Sequence, residues 1–296
     1  MEEGLTRMKE TVMITGAGGF IGSYVVNLLK DKYNIYSVEE NVFDIDFKEY
    51  MNRVKPEYLI HLAWVTGQGY LDSKENLYMV SKSIEMFEQF YANGGKRAVY
   101  VGTEQEYARK EDALTEEDEL KPLSLYAQCK CNLGEMLVKA AKIYGYGFVW
   151  NRLFFIYGQG EKPKRLMPAI IKGMIRGDEV ECSYENYVRD YIHVYDVATA
   201  IITSLFSDYT GFVNVCGGGE PTIGEIGRII MDFDGAKGTM KHKTHQQCNQ
   251  PMVIKGDNSL LKSLGWKPKY SLEEGLLEEF SYYKRMYEDE QSFLDE

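Results

Sequence analysis

Short apolar segments alternate with amphipathic segments through the first half of the chain. The first apolar run, TVMITG from Thr11, breaks into glycines and leads into SYVVNLLKDK, whose apolar residues recur at the spacing of a buried helix face. Further strands are predicted at 33–38, 58–63 and 97–102, and further helices at 47–54, 73–91 and 125–144. Strands that alternate with helices form parallel βαβ units, so the pattern predicts an α/β fold with a doubly wound parallel sheet.

A further strand is predicted at 147–155, and the pattern becomes less regular after it. Helices are predicted at 165–176 and 194–206, and a strand is predicted at 212–215. The acidic segment 278–296 is predicted to be a solvated helix rather than a functional motif.

Composition and charge exclude several classes of protein. Of the 296 residues, 44% are hydrophobic and 27% are charged, which is ordinary globular usage and disfavours a disordered, collagenous or coiled-coil chain. With 34 basic and 45 acidic side chains, the net charge is -11, and a surface of this sign repels phosphate backbones and anionic lipids. We therefore expect neither a nucleic acid nor a membrane as a partner.

The sequence also bears on cellular compartment. MEEGLTRMKE lacks the order of a signal peptide, and no apolar stretch approaches the roughly 20 residues of a spanning helix. We therefore expect a soluble, cytoplasmic protein. The five cysteines are scattered, and Cys129 and Cys131 have no second pair to complete a zinc site, so we expect reduced thiols and no metal.

Three glycines in TGAGGFIG lie between the first predicted strand and helix: Gly16, Gly19 and Gly22. Small residues at this G-x-x-G-x-x-G spacing allow a tight turn, let the backbone approach a pyrophosphate and let the helix pack closely on the strand. The helix N-terminus then directs free N–H groups at the phosphates. The pattern alone also fits a flexible loop, but its position between a strand and an amphipathic helix favours a dinucleotide site.

Carboxylates follow the second predicted strand, where the adenosine ribose of a dinucleotide is commonly held, about 20 residues after the glycines. Glu39 and Glu40 lie there, and no Arg or Lys occurs between Tyr33 and Phe47 to bind a 2′-phosphate. This favours NAD. NADP stays possible, since residues distant in sequence could bind the phosphate, and the two glutamates could simply face water. Asp44 is placed to accept a hydrogen bond from the adenine amino group.

The spacing Y-x-x-x-K occurs three times, beginning at Tyr70, Tyr78 and Tyr126. On a helix, positions i and i+4 share a face, so a lysine ammonium near the phenol would lower its pKa from about 10 toward neutral pH. Such a tyrosine exchanges a proton with a substrate hydroxyl while a nicotinamide exchanges hydride. Context favours Tyr126 with Lys130, because this pair opens a helix after a strand that ends in Thr103. The other two tyrosines are interpreted as ordinary surface or core residues.

Further motifs follow in order along nearly the whole chain: HLAW, YVGTEQEYA, YAQCK, RLFFIYGQG, RDYIHVYDVA, NVCGGGEPTIGEI and LGWKPKYSLEEGL. With TGAGGFIG, they resemble the extended short-chain dehydrogenases/reductases of the NAD-dependent epimerase/dehydratase family, which act on nucleotide-linked sugars. The resemblance implies a Rossmann-type dinucleotide-binding domain over 1–160, with a return segment near 190–215, and a smaller, mainly substrate-binding α/β lobe over 161–296. It also implies a nucleotide-diphosphate sugar between the lobes and a homodimer through a four-helix bundle of helices 73–91 and 125–144.

The resemblance assigns roles to individual residues. It implies that Thr103, Tyr126 and Lys130 form the catalytic set. The cofactor NAD(P) is expected at Gly16, Gly19, Phe20, Ile21, Gly22, Glu39, Glu40, Asp44, Ile45, Leu62, Ala63, Tyr126 and Lys130. The sugar nucleotide is expected at Thr103, Glu104, Arg165 and Arg189, with Arg189 on the diphosphate. Gln68 and Tyr191 are further candidates, and for these two and Arg165 an ordinary surface or loop role is equally open. His193 and Asp196 are expected to hold their loop together.

The family catalyses reduction, epimerisation and dehydration. Gln105 stands where similar 4,6-dehydratases carry a glutamate, which disfavours dehydration, although Glu104 is retained as a candidate acid. Trp64 and Phe155 replace residues usual in 4-epimerases. These departures favour NAD(P)H-dependent reduction of the C4 keto group of a nucleotide-linked 4-keto-6-deoxyhexose. A nucleotide-sugar 4-epimerase and a non-catalytic NAD-binding regulator stay as alternatives, and the nucleotide base and sugar stereochemistry are left open.

Overall fold

The computed structural model describes residues 9–182, 184–242 and 252–294. Its strands are β1 (Thr11–Thr15), β2 (Asn34–Val38), β3 (Tyr58–His61), β4 (Arg97–Thr103), β5 (Gly147–Leu153), β6 (Phe155–Tyr157), β7 (Glu179–Cys182), β8 (Val188–Arg189), β9 (Tyr191–His193), β10 (Gly211–Val215), β11 (Thr239–His242) and β12 (Val253–Ile254). Its α-helices are α1 (Phe20–Leu29), α2 (Phe47–Val54), α3 (Glu75–Ala92), α4 (Leu125–Tyr144), α5 (Leu166–Arg176), α6 (Val194–Phe206), α7 (Ile223–Met231), α8 (Ser259–Ser263) and α9 (Leu272–Leu294).

The central sheet has six strands in the order β10-β5-β4-β3-β1-β2. β1 pairs in parallel with β2 on one side and with β3 on the other, and β3 pairs in parallel with β4. The chain therefore reverses its direction of winding at β1, and ligands of such sheets bind outside the carboxyl ends of the strands at this point. The predicted α/β fold with a Rossmann-type parallel sheet is confirmed.

The chain divides into two compact units. Unit 1 contains residues 9–108, Glu119–Arg152 and Ala198–Val213, and unit 2 contains Arg109–Asp118, Leu153–Val197 and the described part of 214–296. Unit 1 has a core that includes Met13, Phe47, Phe90 and Trp150. Unit 2 has a separate core that includes Ile171, Ile226 and Phe280. Residues 198–213 belong to unit 1, and residues 153–160 belong to unit 2.

Local sequence explains where the helices of unit 1 begin and end. The Asp46 side chain accepts hydrogen bonds from the Lys48 and Glu49 amides and so caps α2. Ser124 caps α4 in the same way by accepting from the Ala127 amide. α4 is followed by its C-cap residue Gly145, whose φ of 72° lies in the left-handed region that favours glycine. This helix begins one residue before Tyr126, and its bounds match the prediction.

The strand predicted at 147–155 ends earlier. β5 stops at Leu153. The Phe154 amide still donates to the carbonyl of Val215 in β10, whereas the Phe155 amide donates to the carbonyl of Asp190, outside the central sheet. A separate strand, β6, then pairs with β9. The apolar run continues through this break, so hydrophobicity alone gave no signal for it.

The acidic C-terminal segment forms a helix as predicted, but it is not simply solvated. Leu276, Glu279, Phe280 and Tyr283 recur at the spacing of one face of α9, and all four are buried. Glu279 is therefore a core residue, which corrects the prediction. In the described ranges, none of the helices combines the length and apolar character that a bilayer crossing requires.

Candidate active site

The glycine turn leaves no room for side chains at two of its positions. Gly16 has a φ of +71°, and a Cβ there would lie 2.9 Å from the amide nitrogen of Ala63. A Cβ on Gly22 would overlap the carbonyl oxygens of Gly16 and Ala17. Gly19 precedes α1 as its N-cap residue and has no side chain to occupy the free N–H groups of the first turn. The turn therefore keeps the helix N-terminus open and the backbone accessible.

A cleft of about 920 Å³ opens at the carboxyl ends of β1, β2 and β3. Gly16 and Gly18 line it on one side, Glu39 and Glu40 at the end of β2, and Ala63 after β3. The backbone N–H groups of the turn suit phosphates, and the two carboxylates suit ribose hydroxyls, at opposite parts of one cleft. The residues present therefore fit a dinucleotide.

An arginine from α2 lies beside this cleft, which sequence reasoning did not detect. The Arg53 guanidinium lies 4.8 Å from the ring centre of Tyr50, and the Tyr50 hydroxyl donates to Glu40 at 3.1 Å. Hydrogen bonds from its own backbone and from Tyr50 hold the pKa of Glu40 below its usual range, and the Arg53 charge contributes further. Glu40 is thus partly engaged within the protein, whereas no contact of this kind is found for Glu39 in the described residues.

The remaining residues expected at the cofactor lie around the same strand ends. Leu62 is fixed by its amide, which donates to the Thr15 carbonyl. Phe20 and Ile21 open α1 and are half-buried, whereas Asp44 is exposed on a short 3-10 turn. Ile45 is 5% exposed, and its side chain packs in the core of unit 1. The role of each as a cofactor contact stays a prediction.

Thr103, Tyr126 and Lys130 come together in unit 1. Thr103 ends β4, is 5% exposed, and its hydroxyl donates to Glu104 at 2.7 Å. Tyr126 lies in the first turn of α4, and the Thr103 side chain is near enough to act on the pKa of its phenol. Lys130, one turn later, is 3% exposed, and its Nζ donates to the Val101 carbonyl at 2.7 Å. The hydroxyl, phenol and ammonium of the predicted catalytic set are therefore neighbours.

The electrostatics of this set differ from the expectation that Lys130 lowers the pKa of Tyr126. Burial, followed by the negative charge of Glu104, raises the pKa of Tyr126 above its usual value. Burial also lowers the pKa of Lys130 to about 7. Burial is the largest cause of both shifts, because removing the charged form of either group from water is costly. Before any cofactor binds, the Tyr126 phenol is thus protonated at neutral pH, whereas the Lys130 amine is only partly protonated.

An aromatic frame surrounds the pair and was not predicted. The Tyr70 ring meets the Tyr126 ring edge to face at 5.0 Å, and the Trp64 ring meets it at 6.5 Å. Tyr70 was interpreted as an ordinary surface or core tyrosine, and its sequence context gives no signal for this contact. Trp64 stood out only as a departure from the small residue usual after HLA.

A buried ion pair supports the end of β4 from behind. Glu106 is fully buried and accepts hydrogen bonds from the Thr103 amide, the Trp150 indole and Arg152, the last at 2.7 Å. Arg152 also donates to the Tyr107 hydroxyl. Because every partner is itself buried, this network fixes the backbone that carries the Thr103 hydroxyl.

Unit 2 carries the two arginines expected at the sugar nucleotide. Arg189 is 3% exposed, and its Nη1 donates to the carbonyls of Val188 and Met252. The Arg165 side chain is 69% exposed, and its Nε lies 3.8 Å from Glu161. Tyr191, in β9, is half-buried, whereas Gln68, in unit 1, is exposed. Roles for these four residues in substrate binding stay predictions.

His193 and Asp196 bind other parts of unit 2. Asp196 accepts hydrogen bonds from the Lys269 and Tyr270 amides, and His193 Nε2 lies 3.2 Å from Glu278. In the described residues, no group of three or more His, Cys, Asp or Glu side chains is arranged to hold a metal ion. Four cysteines are buried free thiols, and Cys248 lies outside the described residues.

Comparison with known proteins gives the family. A model of the NAD-dependent epimerase/dehydratase family matches residues 12–216. A GDP-L-fucose synthase of Arabidopsis thaliana is 24% identical over 301 residues, which cover 92% of this chain and 92% of that protein. A trifunctional protein of the same plant is 25% identical over 319 residues, which cover 93% of this chain and 47% of that protein. It is named UDP-glucose 4,6-dehydratase/UDP-4-keto-6-deoxy-D-glucose 3,5-epimerase/UDP-4-keto-L-rhamnose-reductase. The structure of a UDP-glucose 4-epimerase from Thermotoga maritima, solved with UDP-glucose, matches with a TM-score of 0.83 at 23% identity, covering 94% of this chain and 99% of that one.

The family model spans the glycine turn, the ends of β2 and β3, and the Tyr126–Lys130 pair. These are the parts of unit 1 that form the cleft and the candidate catalytic set. The chain therefore belongs to the NAD-dependent epimerase/dehydratase family.

Proposed function

We propose that this chain reduces the C4 keto group of a nucleotide-linked 4-keto-6-deoxyhexose at the expense of NADH. Its relatives include a protein named for a UDP-4-keto-L-rhamnose reductase and one named UDP-glucose 4-epimerase. Both reactions therefore occur among its relatives, and the choice rests on the site itself.

The protonation state of Tyr126 carries the proposal. Burial and the Glu104 charge raise the pKa of this phenol, so it holds its proton firmly at neutral pH. A reductase requires a proton donor for the oxygen of the reduced carbonyl, whereas a 4-epimerase must first remove a proton from a hydroxyl. A protonated Tyr126 in the cofactor-free site supports the role of proton donor.

The roles of the residues follow from their positions. The glycine turn and Glu39 would hold the dinucleotide, which supplies hydride when bound as NADH. Thr103 would orient the carbonyl oxygen, and the Tyr126 hydroxyl would donate its proton to that oxygen as the C–H bond forms at C4. Lys130, as the ammonium, would stabilise the phenolate left behind. The product is the C4 alcohol, and one NADH is oxidised per turnover.

For the substrate, we keep the expectation of a nucleotide-diphosphate sugar, with Arg165 and Arg189 as its candidate contacts in unit 2. For assembly, we propose a homodimer through α3 and α4. Large apolar side chains on these helices are exposed, including Tyr78 at 57% and Tyr144 at 68%, and burying them would favour association.

The test combines NADH deuterated at C4 of the nicotinamide with a panel of 4-keto-6-deoxyhexoses linked to different nucleotides. A reductase oxidises the cofactor, seen as lost absorbance, and the product carries deuterium at C4. Interconversion of UDP-hexoses without added cofactor would instead identify the 4-epimerase. Cofactor binding with no turnover on either panel would identify the non-catalytic regulator.

A further inference from the structure

A buried lysine cation lies against the face of an indole in unit 1. The Nζ of Lys130 is 3.6 Å from the ring centre of Trp64, and the side chain is 3% exposed. Among the described residues, Lys130 has no carboxylate within ion-pair distance, and its hydrogen bond goes to the Val101 carbonyl. The indole face is therefore a main source of stabilisation for the positive charge, because a cation over a tryptophan is attracted by the ring quadrupole, most strongly when it is desolvated.

The position of the indole is fixed by a second residue. The Trp64 Nε1 donates to the Asn76 side-chain oxygen at 2.9 Å. The Asn76 amide nitrogen in turn donates to the carbonyls of Tyr70 and Ser73, at 2.7 and 2.9 Å. Asn76 is fully buried, so its orientation is determined by all three bonds. Trp64 thus cannot move away from Lys130 without breaking its partly buried hydrogen bond to Asn76.

We propose that Trp64 is a positioning residue for Lys130: its indole, anchored by Asn76, holds the lysine as a cation beside Tyr126. In the functional assignment above, this keeps an ammonium available to stabilise the tyrosinate. The proposal deepens that assignment and rests on it for its role in turnover. The physical claim, that a lysine cation is held by an indole, is tested without turnover.

The other groups around Lys130 do not replace the Trp64 indole. The ring centre of Trp150 is farther from the Lys130 Nζ, at 5.8 Å. Glu106, from the turn after β4, favours the charged form, but its oxygens are already engaged by Arg152, Trp150 and the Thr103 amide. His61, from β3, is held neutral because burial lowers its pKa well below the usual range. Tyr126, on the same helix as Lys130, is protonated. Since burial lowers the pKa of Lys130 to about 7, loss of the aromatic face should lower it by about one further unit.

The experiment follows the lysine in the cofactor-free protein by NMR, with ¹³C label at lysine Cε and the Lys130 resonance assigned through Lys130→Arg. In the unchanged protein, we expect a titration midpoint near pH 7 and Hε protons shifted upfield by the ring current of Trp64. Trp64→Phe keeps a ring and should move the midpoint by less than half a unit. Trp64→Leu should lower it by about one unit and abolish the upfield shift.

Trp266→Phe, in unit 2, is the matched control and should leave the Lys130 resonance unchanged. Random-coil Hε shifts in the unchanged protein would overturn the proposal even if the Leu variant fails to fold. So would equal midpoints in the Leu and Phe variants.

The role in turnover is measured separately, as the pH dependence of single-turnover NADH oxidation. We expect the alkaline loss of rate to begin about one pH unit lower in Trp64→Leu than in Trp64→Phe. Because Trp64 also lines the cleft, both variants are measured at saturating NADH. An NMR result as expected in a protein that oxidises no NADH would leave the positioning role standing and remove the reductase assignment. Unaltered pH profiles together with shifted midpoints would remove the role in turnover.

Discussion

The protonation and position of the candidate catalytic residues depend on their neighbours. The Tyr126 phenol is protonated because burial and Glu104 disfavour the phenolate. The Thr103 hydroxyl is fixed because the backbone beneath it is bonded to buried Glu106. The chemistry is thus a property of a few contacts, and single atoms can be removed to test it.

Removing the Tyr126 hydroxyl tests the proton donor. Tyr126→Phe should lower kcat by about 10²–10⁴, the usual contribution of a positioned acid. The ring contacts with Tyr70 and Trp64 are retained, so folding and NADH affinity should be nearly unchanged. Steady-state kinetics on the panel of nucleotide-linked 4-keto-6-deoxyhexoses measure kcat. Fluorescence titration with NADH measures the affinity for the cofactor. Full turnover in this variant would exclude Tyr126 as the donor.

Adding a methyl group to the glycine turn tests the close packing of α1 on β1. Gly22→Ala places a Cβ against the carbonyls of Gly16 and Ala17, so the turn must open. We expect a loss of about 1–3 kcal/mol in unfolding free energy and a loss of NADH affinity. Gly18→Ala is the matched control, since its Cβ would meet no atom within 4 Å, and its unfolding free energy should stay within about 0.5 kcal/mol of the parent. Chemical denaturation of both variants gives the comparison.

At the scale of elements, α9 packs an acid into the core of unit 2. Both oxygens of Glu279 are buried without a hydrogen-bond partner in the described residues, as is one oxygen of Glu161. Burial, followed by the charges of Glu161 and Glu278, raises the pKa of Glu279 to about 8. Burial likewise raises the pKa of Glu161 to about 7. The helix docks best when these carboxyls are protonated.

This arrangement predicts how stability depends on pH. An acid with a raised pKa binds its proton more tightly in the folded state, so its contribution is present below the unfolded pKa, near 4.3, and is lost as pH rises through about 8. Glu279→Gln should therefore raise the unfolding free energy by about 2–4 kcal/mol above pH 8 and by little at pH 4.5. Denaturant titrations across this range measure it.

The matched control for that prediction is Glu288→Gln, an exposed position of the same helix. It should leave the pH dependence unchanged. An equal increase in unfolding free energy above pH 8 in both variants would mean that net charge, rather than the buried carboxyl of Glu279, causes the pH dependence.

At the scale of the whole molecule, binding of the cofactor is linked to global stability. A ligand that binds only the folded state stabilises it by about 2.7 kcal/mol at 100 times its Kd. NADH should therefore raise Tm. NADPH at the same concentration should raise it less, because Glu39 and Glu40 line the cleft and repel a 2′-phosphate. Thermal unfolding monitored by fluorescence measures both.

The two carboxylates are not equivalent in this test. The Glu40 carboxylate accepts a hydrogen bond from Tyr50 and lies near the Arg53 charge. Glu39→Gln should therefore reduce the difference in Tm between the NADH and NADPH complexes more than Glu40→Gln does. Equal stabilisation of the parent protein by both cofactors would contradict a preference for NAD.

The sequence predicted the elements best where local signals agree. α2, α4 and α6 have their predicted bounds, because capping residues and helix periodicity act within a few positions. The end of β5 was missed, since Phe155 leaves the central sheet to bond with Asp190, a residue far along the chain. The burial of Glu279 was missed for the same reason, because its surroundings include Glu161 from another part of unit 2.

By itself the sequence determined the parallel α/β architecture, the glycine turn before α1 and the spacing that puts Tyr126 and Lys130 on one helix face. These follow from periodicity, backbone freedom and covalent spacing, which are local. Only the tertiary structure decided that Trp64 covers Lys130, that Arg53 lies near Glu40, and that the Tyr126 phenol is held protonated. Such features depend on burial and on contacts between elements distant along the chain, and the free energy of a charge is set by those surroundings.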